Sequence, residues 1–425
     1  MSMIHDPVCL RRPVLHRACP MAGAARLAMD YSLRRVGAAA QLPGGRRLGT
    51  PGVAPTIEIV DPDAAFERMG HQPNLGVGES FMAGDWRAAP GVDLAAAMLP
   101  FAERLVAREP APVKVVRKVV NRALPGETRN TLRQARRNIE AHYDLGNDMF
   151  ESFLDDTLTY SSARFDAATP RHAQSLEDAQ TRKIELALDR AGVADGSRIL
   201  EIGTGWGALA ILAARRGAEV TSITISPSQA ALARERIAAA GLSERVSVEL
   251  RDYREQQGRF DAVVSIEMIE AVGEEFWPGY FQAIDRALVP GGRGVIQAIL
   301  MTEERFEATR NSYGWIQKHI FPGGIIPSVG ALQRAADPSG LRITPVDMFG
   351  HDYAETLRRW RSRFLENWPM VRDMGFDDVF QRRWEFYLAY CEAGFDAAAI
   401  DVGQLVLERV GSLRADAARA EALAG

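Results

Sequence analysis

A doubly wound, mostly parallel α/β sheet with helices on both faces, preceded by a small α+β domain, is the architecture that this 425-residue chain predicts. Three observations predict it. The run Arg198-Ile-Leu-Glu-Ile-Gly-Thr-Gly-Trp-Gly207 is an apolar strand that ends in three alternating glycines and opens into the helical run Ala208 to Arg216. From Ile139 onward, strand-like and helical runs alternate, the order that builds a parallel sheet covered on both faces. Before Glu109 the pattern differs and is too short for a catalytic core, while the full length exceeds one ordinary domain.

Residues 1–50 read as a flexible extension, because Met1 to Arg35 mixes arginines with short apolar pieces and Asp6, Pro13 and Pro20 interrupt any signal-peptide core. Residues 51–110 read as the small N-terminal domain. It holds a strand at Thr56-Ile-Glu-Ile-Val60, a helix opening at Asp61-Pro62-Asp63 and a loop from Gly76 to Trp86. Residues 111–137 are a basic linker; between 111 and 140, eight Lys or Arg stand against two Glu. Its cations and valines recur at helical spacing, which suits a solvated helix face and a membrane-surface patch equally. Residues 138–425 form the main domain. Its strands are placed at Arg198–Ile202, Glu219–Ile225, Val246–Arg251, Phe260–Ile266 and Gly294–Ala298. A helix at Ser228–Ala240 is entered through Pro227, and Pro290-Gly-Gly292 turns into the last of these strands. Beyond residue 300 the pattern is mainly helical, with an aromatic insert from Tyr313 to Gly324.

A formal charge of −4 gives no general attraction to nucleic acid, and no run reaches the 18 or so apolar residues of a membrane span. Membrane contact, if any, is local and peripheral. Cys9, Cys19 and Cys391 show no metal-ligand spacing, so no metal is expected and a reducing cytoplasm is the simplest compartment.

Gly203, Gly205 and Gly207 remove the Cβ atoms that would keep a turning backbone away from a ligand, and the following helix presents its first amides there. A dinucleotide site needs Gly-x-Gly-x-x-Gly and an acidic residue about 20 residues on. This chain has Gly-x-Gly-x-Gly, and its second strand ends in Thr224, Ile225 and Ser226. S-adenosylmethionine, a cationic mononucleoside without a pyrophosphate, fits better. A nicotinamide oxidoreductase is accordingly the least favoured reading.

Five further motifs carry a resemblance. His142-Tyr-Asp-Leu-Gly-Asn-Asp-Met-Phe150, Thr159-Tyr-Ser-Ser-Ala163, Glu201-Ile-Gly-Thr-Gly-Trp-Gly207, Met268-Ile-Glu-Ala-Val-Gly273 and Ile320-Phe-Pro-Gly-Gly324 together resemble the cyclopropane fatty acid synthases, from about Asn138 to Val410. The segment Gly78 to Trp86 resembles the N-terminal domain of the phospholipid-acting members. Glu267-Met-Ile-Glu-Ala-Val-Gly273, Ile296-Gln-Ala-Ile299 and Tyr353-Ala-Glu-Thr-Leu357 look more like the branch that methylates oleoyl chains toward tuberculostearic (10-methylstearic) acid.

That resemblance implies a class I methyltransferase catalytic domain over 138–425. Its cofactor, S-adenosylmethionine, would lie against Tyr160 and Ser161 at the methionine end, against Gly203 and Gly205 under the sulfonium and ribose, and against Thr224, Gln229 and Tyr253. The family holds a bicarbonate ion as base on a cysteine, a glutamate, a histidine, a tyrosine and an isoleucine backbone group. The matching positions are Ser162, Glu270, Gln297, Tyr353 and Ile299, so the cysteine and the histidine are both replaced. A carboxylate, Glu267 or Glu270, is the alternative proton acceptor. The implied substrate is an unsaturated phospholipid at the inner face of the cell membrane, met by a cytoplasmic, peripherally bound protein; a homo-oligomer is compatible. The product is a methylene-branched chain, which a separate reductase would saturate, or a cyclopropane. Trp315, Phe321 and Trp360 stand either in an acyl tunnel or in ordinary core. Two other classes remain open: a small-molecule N- or O-methyltransferase, which shares the cofactor loop, and a non-catalytic lipid-binding protein.

Overall fold

The computed structural model describes residues 20–106 and 145–409, in two compact units. The basic linker 111–137, His142, Cys9 and Cys19 lie outside the described residues. The first unit gathers described residues of the N-terminal region with Asn311–Pro322 and Leu357–Ala399, and the second holds the rest. This division differs from the expected boundaries, in which 138–425 is one continuous domain.

In the first unit a four-stranded sheet, ordered β2-β1-β3-β4, is built from β1 (Ala39–Gln41), β2 (Arg47–Gly49), β3 (Ile57–Ile59) and β4 (Trp86–Ala88). The reading of residues 1–50 as flexible is corrected for its described part. Pro20–Arg35 is a helix, Leu33 on it is fully buried, and Asp30 accepts a 2.7 Å hydrogen bond from the Gly49 amide that closes β2. The expected loop after Gly76 is likewise a helix, Gly76–Ala83, stopped by Gly84 at φ +82°. Its glycines serve packing rather than flexibility, since a Cβ on Gly78 would lie 2.5 Å from the Trp315 indole. The helix Pro62–His71 starts where the sequence places it, with the Asp61 carboxylate accepting from the Ala64 amide. The helices Leu94–Val106 and Asp378–Asp396 pack together. Arg361 ties them, donating to Glu392 at 2.9 Å and pairing with Asp93 at 2.8 Å.

The second unit contains a seven-stranded sheet in the order β10-β11-β9-β8-β5-β6-β7. The strands are β5 (Arg198–Ile202), β6 (Glu219–Thr224), β7 (Val246–Leu250), β8 (Phe260–Ile266), β9 (Leu288–Leu300), β10 (Leu341–Met348) and β11 (Asp401–Arg409). The parallel set β9-β8-β5-β6-β7 is the one read from the sequence. The expectation that the chain beyond residue 300 is mainly helical misses β10 and β11, which add an antiparallel pair at one edge. Pro290-Gly-Gly292 lies inside β9, where its register against β8 shifts. Alternating side chains on β5 feed two cores: Leu200 and Ile202 join the helices Trp277–Ala287 and Val329–Ala336, while Ile199 joins Leu176–Arg190, Ala208–Arg215 and Pro227–Ala239. The C-terminal ends of β5, β6, β8 and β9 consequently converge on the loops that carry the site, as ligand crevices of open α/β sheets require.

Candidate active site

All the site residues named from the sequence lie in the second unit. The turn after β5 is built as the glycines suggest. Gly203, Gly205 and Gly207 have φ of +97°, +51° and +88°, a region in which side chains other than glycine are strained, and the helix Ala208–Arg215 starts at once. A Cβ on Gly203 would stand 3.3 Å from the Met268 side chain, so the glycine turn lies directly against the loop after β8. The Trp206 indole donates to Asn147 Oδ1 at 2.9 Å, anchoring the turn from outside. A left-handed glycine backbone leading into a helix N-terminus suits a nucleoside cofactor, and these residues would hold it.

The other residues expected from the sequence to meet the cofactor take these positions. Tyr160 packs edge-on to Phe150 and Phe153 at 5.2 and 6.1 Å between ring centroids. Ser161 Oγ accepts from Lys183 Nζ at 2.6 Å. At the end of β6, the Thr224 hydroxyl donates to Gln229 Oε1 at 3.2 Å. Tyr253 sits in a short turn that Asp252 caps and meets Tyr280 edge-to-face at 5.3 Å; burial pushes its phenol up to about 12.

The loop after β8 carries two half-buried carboxylates three residues apart. Glu267 has φ +49°, a left-handed conformation that costs an L-residue roughly 1–2 kcal/mol. Its carboxylate is nevertheless tightly engaged. Oε1 accepts from the Ser162 amide at 2.9 Å and from Gln297 Nε2 at 2.8 Å, and Oε2 accepts from the Tyr353 hydroxyl at 2.7 Å. The Gln297 amide is oriented by Gln404, whose Nε2 donates to its Oε1 at 3.1 Å. Glu270 is served differently: its Oε1 accepts from the Ile299 amide at 2.5 Å, and its buried Oε2 has no partner. Burial pushes the Glu270 carboxyl up to about 8, and the Glu267 charge beside it adds to the rise. Burial also raises Glu267, but Lys183, Gln297, Ser162 and Tyr353 all act to hold its charge. Two neighbouring carboxylates in a partly buried site do not both ionise readily. Glu267, with three donors and the buried Lys183 nearby, is the better placed of the two to carry the charge; Glu270, whose Oε2 has no partner, is the more easily protonated.

The five groups expected around a bicarbonate are thus brought together, with a difference. Ser162, Gln297 and Tyr353 donate to Glu267, and Ile299 donates to Glu270. The Ser162 and Ile299 amides and the Gln297 and Tyr353 side chains are committed to the chain's own carboxylates, and the Ser162 hydroxyl donates to the Ala163 carbonyl at 2.9 Å, so the residues present do not fit an added anion.

Two polar side chains of this neighbourhood escape the sequence reading. Lys183 is fully buried and is pushed down to about 8 by that burial, against the pull of Glu267 and Asp155. Glu201, at the last turn of β5 before the glycines, is buried and pushed up to about 8; the Ser222 hydroxyl donates to its Oε2 at 2.5 Å. On an amphipathic helix a lysine reads as solvated, and an acid in a strand reads as an edge residue, so only their burial gives them away. Trp315, Phe321 and Trp360 belong to the first unit, where Trp315 packs on Phe386 at 4.7 Å and Phe321 on Tyr387 at 5.8 Å.

A sheet of this order with the glycine turn at its first strand defines an S-adenosylmethionine-dependent methyltransferase. A solved mycolic acid cyclopropane synthase, CmaA1 complexed with SAH and CTAB, matches it with a TM-score of 0.59 and 30% identity, over 64% of this chain and 98% of that one. SAH is the demethylated form of the cofactor. The chain belongs to the mycolic acid cyclopropane synthetase family, whose model matches residues 130–405. It is 47% identical over 362 residues to the tuberculostearic acid methyltransferase UfaA1 of Mycobacterium tuberculosis, covering 84% of each chain. It is also 33% identical over 373 residues to the cyclopropane-fatty-acyl-phospholipid synthase of Escherichia coli K12, covering 84% of this chain and 89% of that one.

Proposed function

We propose that this protein transfers a methyl group from S-adenosylmethionine to the cis double bond of an unsaturated phospholipid acyl chain and releases a methylene-branched chain of the 10-methylene stearoyl type. The observation that carries the reading is the carboxylate pair Glu267 and Glu270 on the loop whose Met268 side chain lies against the glycine turn. Tyr160, Ser161, Gly203, Gly205, Thr224, Gln229 and Tyr253 are the residues assigned to the cofactor. Bound S-adenosylmethionine supplies the methyl group as an electrophile. An alkene that accepts it is left as a carbocation, which a negatively lined, water-poor site shelters until a base removes a proton. Proton loss straight from the new methyl group closes a cyclopropane. A hydride shift between neighbouring carbons first, then proton loss, leaves the methylene branch.

The relative that modifies chains toward tuberculostearic acid favours the second outcome, as do Ser162 and Gln297 at positions where the cyclopropane enzymes carry cysteine and histidine. A methylene product would require a separate reductase. The substrate is proposed to be met at the cytoplasmic membrane surface by peripheral binding; among the described residues no helix is long and apolar enough to cross a membrane. The test is incubation of the full chain with dioleoyl phospholipid vesicles, with and without anionic lipid, and methyl-labelled cofactor. NMR of the acyl chains should show exocyclic methylene protons, and turnover should fall as salt screens the vesicle surface. High-field cyclopropane protons alone would transfer the assignment to the ring-forming reaction.

A further inference from the structure

We propose that the Glu267 carboxylate is the proton acceptor of the reaction, built into the chain at the place where an added anion would otherwise sit. The inference rests on the methyl-transfer reading and deepens it by naming the base. Three independent features carry it. The carboxylate collects donors from three separate elements, the amide of Ser162, the side chain of Gln297 on β9 and the hydroxyl of Tyr353 on the helix Gly350–Glu366. The Gln297 and Tyr353 side chains stand at positions that the resemblance implies for anion binding, and both donate to Glu267; at the third such position Ser162 donates through its amide, while its hydroxyl donates to the Ala163 carbonyl at 2.9 Å. The backbone at Glu267 is held at φ +49°, where glycine would sit without strain, so the position keeps a side chain against conformational preference. Finally, its neighbour on the loop, Met268, lies against the glycine turn, which puts the carboxylate loop beside the methyl-transfer centre.

The step balances without another reagent. The C–H bond on the methyl-derived carbon breaks, its electron pair forms the second bond to the cationic carbon, and the proton passes to a Glu267 oxygen. Oε2, which accepts one hydrogen bond against two at Oε1, is the freer acceptor. Tyr353 and Gln297 orient the carboxylate, and Lys183 holds its charge. Glu270 is the poorer site for that charge: its Oε1 accepts from the Ile299 amide, its buried Oε2 has no partner, and burial pushes its carboxyl up.

The experiment uses the full chain, dioleoyl phospholipid vesicles and methyl-labelled cofactor in CO2-free buffer, with and without added bicarbonate. Wild-type turnover should be the same in both. Glu267→Gln should lose about 10²-fold or more in turnover while binding cofactor normally by calorimetry. Glu267→Gly, which relieves the left-handed backbone, should be inactive without bicarbonate and regain turnover when bicarbonate is added. Clear stimulation of the wild type by bicarbonate would overturn the proposal whatever the variants do. So would a Glu267→Gln enzyme that keeps pace with wild type, or a Glu267→Gly enzyme that bicarbonate, formate and acetate all fail to revive, which would assign a structural role. A wild type that alkylates no unsaturated lipid in any buffer would instead sink the methyl-transfer reading itself, and the base with it.

Discussion

Replacing Glu201 by glutamine should stabilise the protein, and the gain should grow with pH. The side chain is 3% exposed at the end of the strand that leads into the glycine turn, and burial lifts its carboxyl from 4.5 to about 8. At 1.36 kcal/mol per pH unit, that rise corresponds to about 5 kcal/mol between the two protonation states. The sign follows from proton counting. Between pH 4.5 and about 8 the folded chain keeps a proton that the unfolded chain has released, so stability falls as pH rises through that window and levels off above it. Glutamine has no proton to lose and still offers an oxygen to the Ser222 hydroxyl that donates to Oε2 at 2.5 Å. The difference in stability between Glu201→Gln and wild type should therefore widen by about 3 kcal/mol from about pH 5.5 to about pH 8. Urea unfolding of both proteins across that range, followed by tryptophan fluorescence and by circular dichroism, measures it. A difference that stays constant with pH, or narrows as pH rises, would refute the argument that this buried acid holds its proton.

Gly205→Val should abolish cofactor binding in calorimetry while the chain stays folded, because a β-branched residue is strained at φ +51° and its side chain projects from the turn assigned to the cofactor; unchanged affinity would remove that turn from the site. Lys183→Met should move the acidic limb of the kcat/KM profile to higher pH, since the lysine charge acts to lower the Glu267 carboxyl and its loss lets that carboxyl rise. An unmoved limb would show that Glu267 is not the group titrating there.

The parallel half of the sheet was legible because each strand is an apolar run bounded by turn residues, and the glycine turn announces itself by composition. β10 was not. Pro345 interrupts it, and most of its length after Ile343 is at least partly exposed, so it reads as loop although β11 pairs along it. The acid centre was legible only as a set of residue types. Glu267 draws its donors from residues 105, 30 and 86 positions away, and no local pattern reports such a convergence or the left-handed backbone that aims the carboxylate. Lys183 was hidden for a related reason, since helical periodicity does not distinguish a solvated lysine from one that ends on Ser161 Oγ. Helix Pro20–Arg35 was missed because its arginines and alanines gave little apolar stripe, whereas its placement depends on one buried leucine and one carboxylate, Asp30.

The first unit is stitched from stretches that the ribosome makes far apart in time. The Arg382 guanidinium donates to the Met82 carbonyl, 300 residues earlier in the chain, and Phe386 lies against the rings of Phe81 and Trp86 at 5.4 and 6.3 Å. The small N-terminal sheet therefore waits, with its aromatic face uncovered, until nearly all of the sheet-forming unit has been synthesised. A chain shortened to begin near residue 138 would in turn leave the helix Asp378–Asp396 without the surface that its aromatic side chains fill. In this chain the N-terminal region is thus no detachable appendage: trimming it to isolate the methyltransferase sheet should uncover that helix and yield an aggregation-prone protein.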